Sequence, residues 1–352
     1  MARLWWRRLV LLAVFALSQS VAAKDDYLFN DSHFHLTNYI QEGPTIQQFL
    51  AMMDGKVGRV ALFGIPLQQT WSYRVSGDDA PKYYLDTDAP LYYYSFTDAF
   101  IAMTYRSLPP KQRARFDPMI TGFNPADMYA ADHIRRVLTT FPGVFTGIGE
   151  FPIHKEFVSS KIPGEVASLT DPALDRILDF CAETGLLALI HSDIDTPFDK
   201  DVPEPVNLKQ MKELLKRHPK TTIIWAHAGL GRVVDPVANQ AAIVDAMLAD
   251  PAFAHVYFDL SWDEVAKYLV ATPRSIEVSA ALINKYPDRF LFGTDSLSPA
   301  NVTKYMKTFN DYAPLLKVLD PQASKKFRKG NYERLFDQAR ARVRAWEKAN
   351  VR

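Results

Sequence analysis

The first residues in this chain able to do chemistry are His33 and His35, one residue apart in Asp31-Ser32-His33-Phe34-His35. Side chains two apart in a strand point to the same side, so both imidazoles can grip one ion. Three more polar side chains end or follow apolar runs far downstream: His191 after residues 186–190, His227 after 221–226, and Asp295 after 290–294. A hard or borderline divalent cation needs three or four N/O ligands that converge from distant parts of a fold. Imidazoles and carboxylates with no thiolate suit Zn2+ or Mn2+.

Such residues converge only if the elements beneath them are ordered to bring them together. Strand-like runs lie near residues 27–33, 57–63, 119–123, 144–149, 186–190, 222–226, 256–260 and 290–293, eight in all, with helix-like segments between them. Thr45 is placed to cap a helix over 46–54, with Gly55 ending it. Asp171-Pro172 supplies an N-cap and a first-turn proline, and Gly185 stops the helix after them. Asn207 and Ser275 are placed to cap helices over 208–217 and 276–285. Alternating strands and helices imply parallel pairing with right-handed crossovers. Eight such units predict a closed α/β (β/α)8 TIM barrel, and every candidate ligand then lies at the C-terminal ends of strands, where barrels build their sites. No glycine-rich phosphate loop comes after the first run, which argues against a dinucleotide-binding sheet.

One connection breaks the pattern. About fifty residues (about 67–117) separate the second and third runs, where βα loops are usually about 2–6 long. The stretch is rich in aromatics and includes Trp71, Tyr73, Arg74 and Arg106. Since it leaves the catalytic end of a strand, it is expected to close over the barrel mouth and offer flat apolar surface and cations to a substrate. Its residues 95–105 look helical, and many of its tyrosines should pack the insertion itself. Lys155 and Arg232 also lie on loops of that end and could meet a substrate anion.

The remaining sequence bounds the setting. Formal net charge is +1, with no basic cluster interleaved with aromatics, so nothing points to nucleic acid. Residues 1–23 carry Arg3, Arg7 and Arg8, then an apolar stretch, then Val21-Ala22-Ala23, the pattern of a secretory signal peptide. Processing before Lys24 would leave one barrel domain over 24–352, exported to a periplasm or secreted, with no stable membrane span. The single cysteine, Cys181, allows no internal disulfide and falls on the apolar side of a helix. An oligomer is compatible with this composition.

Taken together, Asp31 to His35, His191, His227-Ala228-Gly229 and Phe292-Gly293-Thr294-Asp295-Ser296 resemble the amidohydrolase superfamily, and its amidohydrolase-related branch above all. Lys329-Gly330-Asn331 resembles that branch's C-terminal helix start, so the likeness runs from about residue 30 to 336. The resemblance implies metal ligation by His33, His35, His191 and Asp295. It further implies that Asp295 takes a proton from a bound water and that His227 polarises a carbonyl or moves a proton. Glu150, ending the fourth run, stands where binuclear relatives carry a bridging group: it could serve a second metal with His227 or, in the one-ion arrangement that the resemblance favours over two, contact substrate or a ligand histidine. Asp31 is in phase with His33 and is expected to support the ligands by hydrogen bonding. The implied activity is a metal-dependent hydrolase in which activated water attacks an ester, lactone or amide of a small molecule, with the insertion favouring an aromatic or carboxylated one. A non-oxidative decarboxylase shares the same ligand set, and a non-catalytic binding barrel is the third reading.

Overall fold

In the computed structural model, residues 27–351 are described except 82, 165 and 199–203. The proposed leader over 1–23 lies outside the described residues. Among the described residues eleven strands form: β1 (Phe29–His35), β2 (Val57–Phe63), β3 (Leu67–Gln69), β4 (Leu91–Tyr93), β5 (Phe116–Ile120), β6 (Gly147–His154), β7 (Leu187–Ser192), β8 (Ile223–Trp225), β9 (Val256–Asp259), β10 (Phe290–Leu291) and β11 (Ser296–Leu297). Nine of them make one parallel sheet in the order β10-β9-β8-β7-β6-β5-β2-β1-β11. β10 and β11 are the two ends of one eighth segment, the first paired with β9 and the second with β1. Between them Ser32 N donates to Phe292 O at 3.1 Å and Asp295 N to His33 O at 2.8 Å. The sheet therefore closes on itself as a (β/α)8 barrel.

The closure is filled from below. Alternate side chains of a barrel strand face inward. Here Ala61 and Phe63, Leu187 and Leu189, and Ile224 and Ala226 form an inner core with Met119 and Leu291. Tyr332, Leu335, Phe336 and Ala339 of the C-terminal helix Asn331–Asn350 belong to the same cluster. That helix plugs the N-terminal end of the barrel. Buried Asp117 on β5 binds it there, paired with Arg59 at 2.8 Å, with Arg340, and with the Tyr332 hydroxyl at 2.8 Å.

Local signals explain most of the outer helices. Thr45 forms a full capping box with Gln48 on Ile46–Met53. Asp171 caps Pro172–Thr184, and Gly185 ends it at φ 84°, where a Cβ would also sit 2.4 Å from Arg342 Cβ. Two caps differ from expectation. Thr272 caps Pro273–Lys285, and Ser275 is its reciprocal partner one turn in. Asn207 makes no side-chain cap, because its amide is drawn to Asp193 O at 2.9 Å.

The long connection after β2 divides into two parts. Its helix Phe96–Ser107 sends Ile101 and Ala102 into the main core, so it is the barrel's own crossover helix. The irregular part is the antiparallel β3–β4 pair with the chain between them. It packs Leu67 and Leu91 on Ile65, Val158 and Ile162, which ties it to the segment after β6. Among the described residues no helix is long and apolar enough to cross a membrane.

Candidate metal centre

Six buried side chains meet at the C-terminal end of the barrel: His33, His35, Glu150, His191, His227 and Asp295. β1 supplies the first two, while Phe34 between them turns outward and stacks on Phe49 with ring centroids 3.7 Å apart. Glu150 follows Gly149, whose φ is 128° and whose missing side chain is needed: a Cβ there would lie 2.5 Å from Leu189 O. His227 follows β8 at φ 57° and Asp295 sits in the break between β10 and β11 at φ 47°. Both left-handed residues are energetically unfavourable for a bulky side chain, which is a mark of functional sites.

The ring nitrogens are oriented from outside the cluster. His33 Nδ1 donates to Asp259 Oδ2 and His35 Nδ1 to Gly64 O, each at 2.8 Å. Both Nε2 atoms then face inward, 3.3 and 3.2 Å from Asp295 Oδ1. Glu150 lies across the middle. Its Oε2 is 3.8 Å from His33 Nε2 and 3.6 Å from His35 Nε2, and its Oε1 is 3.4 Å from His227 Nε2 and hydrogen-bonded to His191 Nδ1. His191 Nε2 faces Asp193 at 3.1 Å. The structure thus joins His33, His35 and Asp295 directly, and joins His191 to them through Glu150.

Three atoms in this cluster, His33 Nε2, His227 Nε2 and Asp295 Oδ1, are buried without a hydrogen-bond partner. Unpaired buried polar atoms are costly, so three that converge call for a shared partner. His33 Nε2 and Asp295 Oδ1, with His35 Nε2 3.2 Å from that oxygen, fit a divalent cation, and His227 Nε2 faces the same point. The charges agree. Burial opposes charge on Asp295, but His33, His35 and His227 hold its carboxyl well below the usual range. Burial likewise opposes charge on Glu150, and Lys155 and His191 outweigh it, so that carboxylate also stays ionised. Burial disfavours charge on His33 too, but Asp295, Asp259 and Glu150 keep a proton on it; the same negative potential would hold a cation and release that proton. His227 differs: burial dominates, its pKa is lowered, and it is neutral at pH 7.

Asp31 does not reach the cluster. Register shifts on both sides of it take β1 out of simple alternation. Its carboxylate accepts from Thr294 N and Oγ1, Tyr305 OH and His33 N, at 2.7–3.1 Å. Burial raises its pKa to about 6 against those four donors. It therefore fixes the β1–β11 seam from which Asp295 projects.

Above the centre opens a cleft of about 1490 Å³ whose lining includes Asp295, Arg232, Trp262 and Tyr83. Arg232 lies over the Trp262 ring at 5.6 Å, with its Nε 3.6 Å from Glu264 Oε1. Trp262 in turn lies 5.1 Å from the His227 ring. The other suggested substrate contacts lie elsewhere. Trp71 and Tyr73 are exposed and line no part of this cleft; Arg74 folds onto Tyr73; Arg106 donates to Pro142 O at 3.0 Å. In their place the insertion sends Tyr83 to the cleft and Tyr84 to a small cavity beside His35, Glu150 and Lys155. Lys155, which reads as a loop cation, is partly buried and holds Glu150 at 3.0 and 3.2 Å.

Asp259, Ser261, Asp193 and Tyr83 are the contributors that motif reading passes over. Asp259 carried a usable signal, since it ends the seventh apolar run as the ligands end theirs. Outside the cluster, His218 lies between Asp175 and Asp179, His255 bonds to the carbonyl of Leu215, and Cys181 is core.

The comparisons agree with this architecture. The solved structure of a candidate 2-pyrone-4,6-dicarboxylic acid hydrolase from Pseudomonas putida superposes with a TM-score of 0.52, at 13% identity, over 89% of this chain and 98% of that one. Dihydroorotase from Campylobacter jejuni gives 0.50 at 12% identity, over 88% of this chain and 84% of its own. At such identity these share the fold. No curated protein sequence is a significant match. The amidohydrolase family profile, however, matches residues 31–338, from the aspartate before the paired histidines to the helix that plugs the barrel, and the chain belongs to that family.

Proposed function

We propose that this protein is a metal-dependent hydrolase that opens an ester, lactone or amide of a small anionic molecule. The observation that carries the reading is the convergence of unpartnered His33 Nε2, His227 Nε2 and Asp295 Oδ1 beneath a large cleft. His33, His35 and Asp295 would hold the ion, Zn2+ or Mn2+ by donor type, with His191 linked to them through Glu150. When bound, such an ion supplies Lewis acidity and brings the pKa of water to about 7. Asp295, kept ionised, is the base that accepts the water's proton and returns it to the leaving group.

His227 is suited to polarise the carbonyl. Its Nδ1 is 3.0 Å from Ser261 Oγ, and the nearby His33 Nδ1–H is already directed to Asp259. Ser261 is therefore free to donate to His227 Nδ1, which places the proton of the neutral ring on Nε2, facing the centre. That N–H can stabilise a developing oxyanion. Arg232, on the cleft wall, supplies a cation for a carboxylate, and Tyr83 and Trp262 supply flat apolar surface in the same lining.

The test is metal analysis of protein purified without chelator, with a panel of esters, lactones and aromatic acids that includes 2-pyrone-4,6-dicarboxylate. We expect bound divalent metal, hydrolysis of an anionic member, and a fall in kcat on the order of 10²-fold in His227→Asn with metal retained. Loss of CO2 from an acid without hydrolysis would establish the decarboxylase instead. Metal-free protein would overturn the reading. We also propose export with a mature chain beginning at Lys24, which intact mass of the native protein decides.

A further inference from the structure

Glu150 is placed as a bridge. One oxygen faces His33 and His35 and the other faces His191 and His227, so a carboxylate in this position could join two cations. Yet a cation already sits on it. Lys155 Nζ contacts both oxygens, at 3.2 and 3.0 Å, and its side chain is 11% exposed. The ammonium is built into position by its own backbone. Lys155 N donates to Ser159 Oγ at 2.8 Å. Asp193 N donates to His154 O at 2.8 Å, and Glu156 N donates to Asp193 Oδ2 at 2.9 Å. The turn that carries Lys155 is thus clamped on both sides, and by the same Asp193 that faces His191.

Charge balance limits how many ions this group can hold. One divalent ion beside Glu150, Asp295 and Lys155 leaves the group with a single positive charge. A second would face the ammonium across one carboxylate among buried side chains, where charges are weakly screened. We propose that Lys155 is a fixed stand-in for a second metal. On the metal-dependent reading above, the chain then binds one divalent ion, through His33, His35 and Asp295. Removing the ammonium frees Glu150, His191 and His227 to hold another. Lys155 is in this sense a positioning residue that sets stoichiometry.

The experiment is metal counting by mass spectrometry after gel filtration from excess Zn2+, with Co2+ titration monitored by visible absorption and electron paramagnetic resonance. Wild type should bind one ion per chain. Lys155→Met should bind two, with a spin-coupled Co2+ pair at saturation. Lys155→Arg, which keeps the charge, should remain at one. Glu150→Gln should also keep one ion, since Glu150 is no required ligand of the first site; this variant tests the idea even if Lys155→Met fails to fold. Two ions in wild type, one in folded Lys155→Met, or loss of the ion in folded Glu150→Gln would overturn the proposal. Wild type with no ion would instead sink the metal-dependent reading itself.

Discussion

Replacing Asp259 by Asn tests whether the hydrogen bond behind His33 is what makes that ring a ligand. In the native protein Asp259 accepts twice: Oδ2 from His33 Nδ1 at 2.8 Å, and Oδ1 from Ser261 N at 2.6 Å. An amide has one acceptor. Ser261 N–H is a fixed backbone donor, so the amide oxygen must serve it, and the NH2 group then points at His33 Nδ1. That nitrogen can accept only by giving up its proton, and the neutral ring would carry its proton on Nε2, where the lone pair is needed. Asn is close to Asp in size, so packing around this fully buried position is preserved. Removing such a partner typically costs 10- to 100-fold in metal affinity, about 1.4–2.8 kcal/mol. The assay is chelator competition for Zn2+ or Co2+, with circular dichroism and thermal melting as controls for the fold. An affinity within twofold of wild type, in a variant that melts normally, would refute the assignment of His33 Nε2 as ligand atom.

Other positions test the frame around the centre. Buried Asp98, which accepts from Thr121 N and Gly122 N at 2.8 and 3.0 Å, has its pKa raised by burial to about 7. The unfolded chain then loses this proton before the folded one does, so stability should fall as pH rises from about 4 to 7, by up to about 4 kcal/mol. Melting temperatures of Asp98→Asn should lack that decline, and parallel curves would refute it. Asp117→Ala should destabilise by about 3–5 kcal/mol in urea, because Arg59 and Arg340 lose their shared buried carboxylate; a change under about 1 kcal/mol would show that the plug helix does not depend on this ion group. Tyr83→Ala should raise KM for an anionic aromatic ester roughly tenfold with little change in bound metal, whereas Trp71→Ala should not; equal effects would argue against Tyr83 as a cleft wall.

Much of this architecture is legible in sequence because both of its levels obey short-range rules. Eight apolar runs bounded by turns specify a parallel barrel. A polar residue that ends such a run is either a cap or a site residue, and the cluster at His33, His35, His191, His227 and Asp295 is that rule applied five times. What escapes is what depends on a turn's path. Lys155 reads as a surface cation until the clamp by Ser159 and Asp193 bends it onto Glu150. The insertion's composition announces a binding element, but aromatic content is the same for Trp71 and Tyr83, and only the β3–β4 pairing decides which of them faces the centre. Thr272 and Ser275 are likewise both good caps, and the reciprocal bonding between them settles which comes first.

Closure and chemistry share one seam, and this bears on how such a site keeps its geometry. The eighth segment must break to present Asp295 inward, and a broken strand would weaken the barrel at that point. Asp31 repairs the break from the opposite strand, through Thr294, Tyr305 and the backbone of His33. One buried carboxylate therefore fixes the first histidine and the last acid of the cluster relative to each other. Those two residues are 262 positions apart in the chain, yet Asp295 N donates directly to His33 O, and four hydrogen bonds to Asp31 brace that contact. A cation held between them then adds binding energy to the same seam. By this geometry metal uptake and barrel closure would reinforce one another, since the left-handed Asp295 that the seam presents is also a residue the ion would brace.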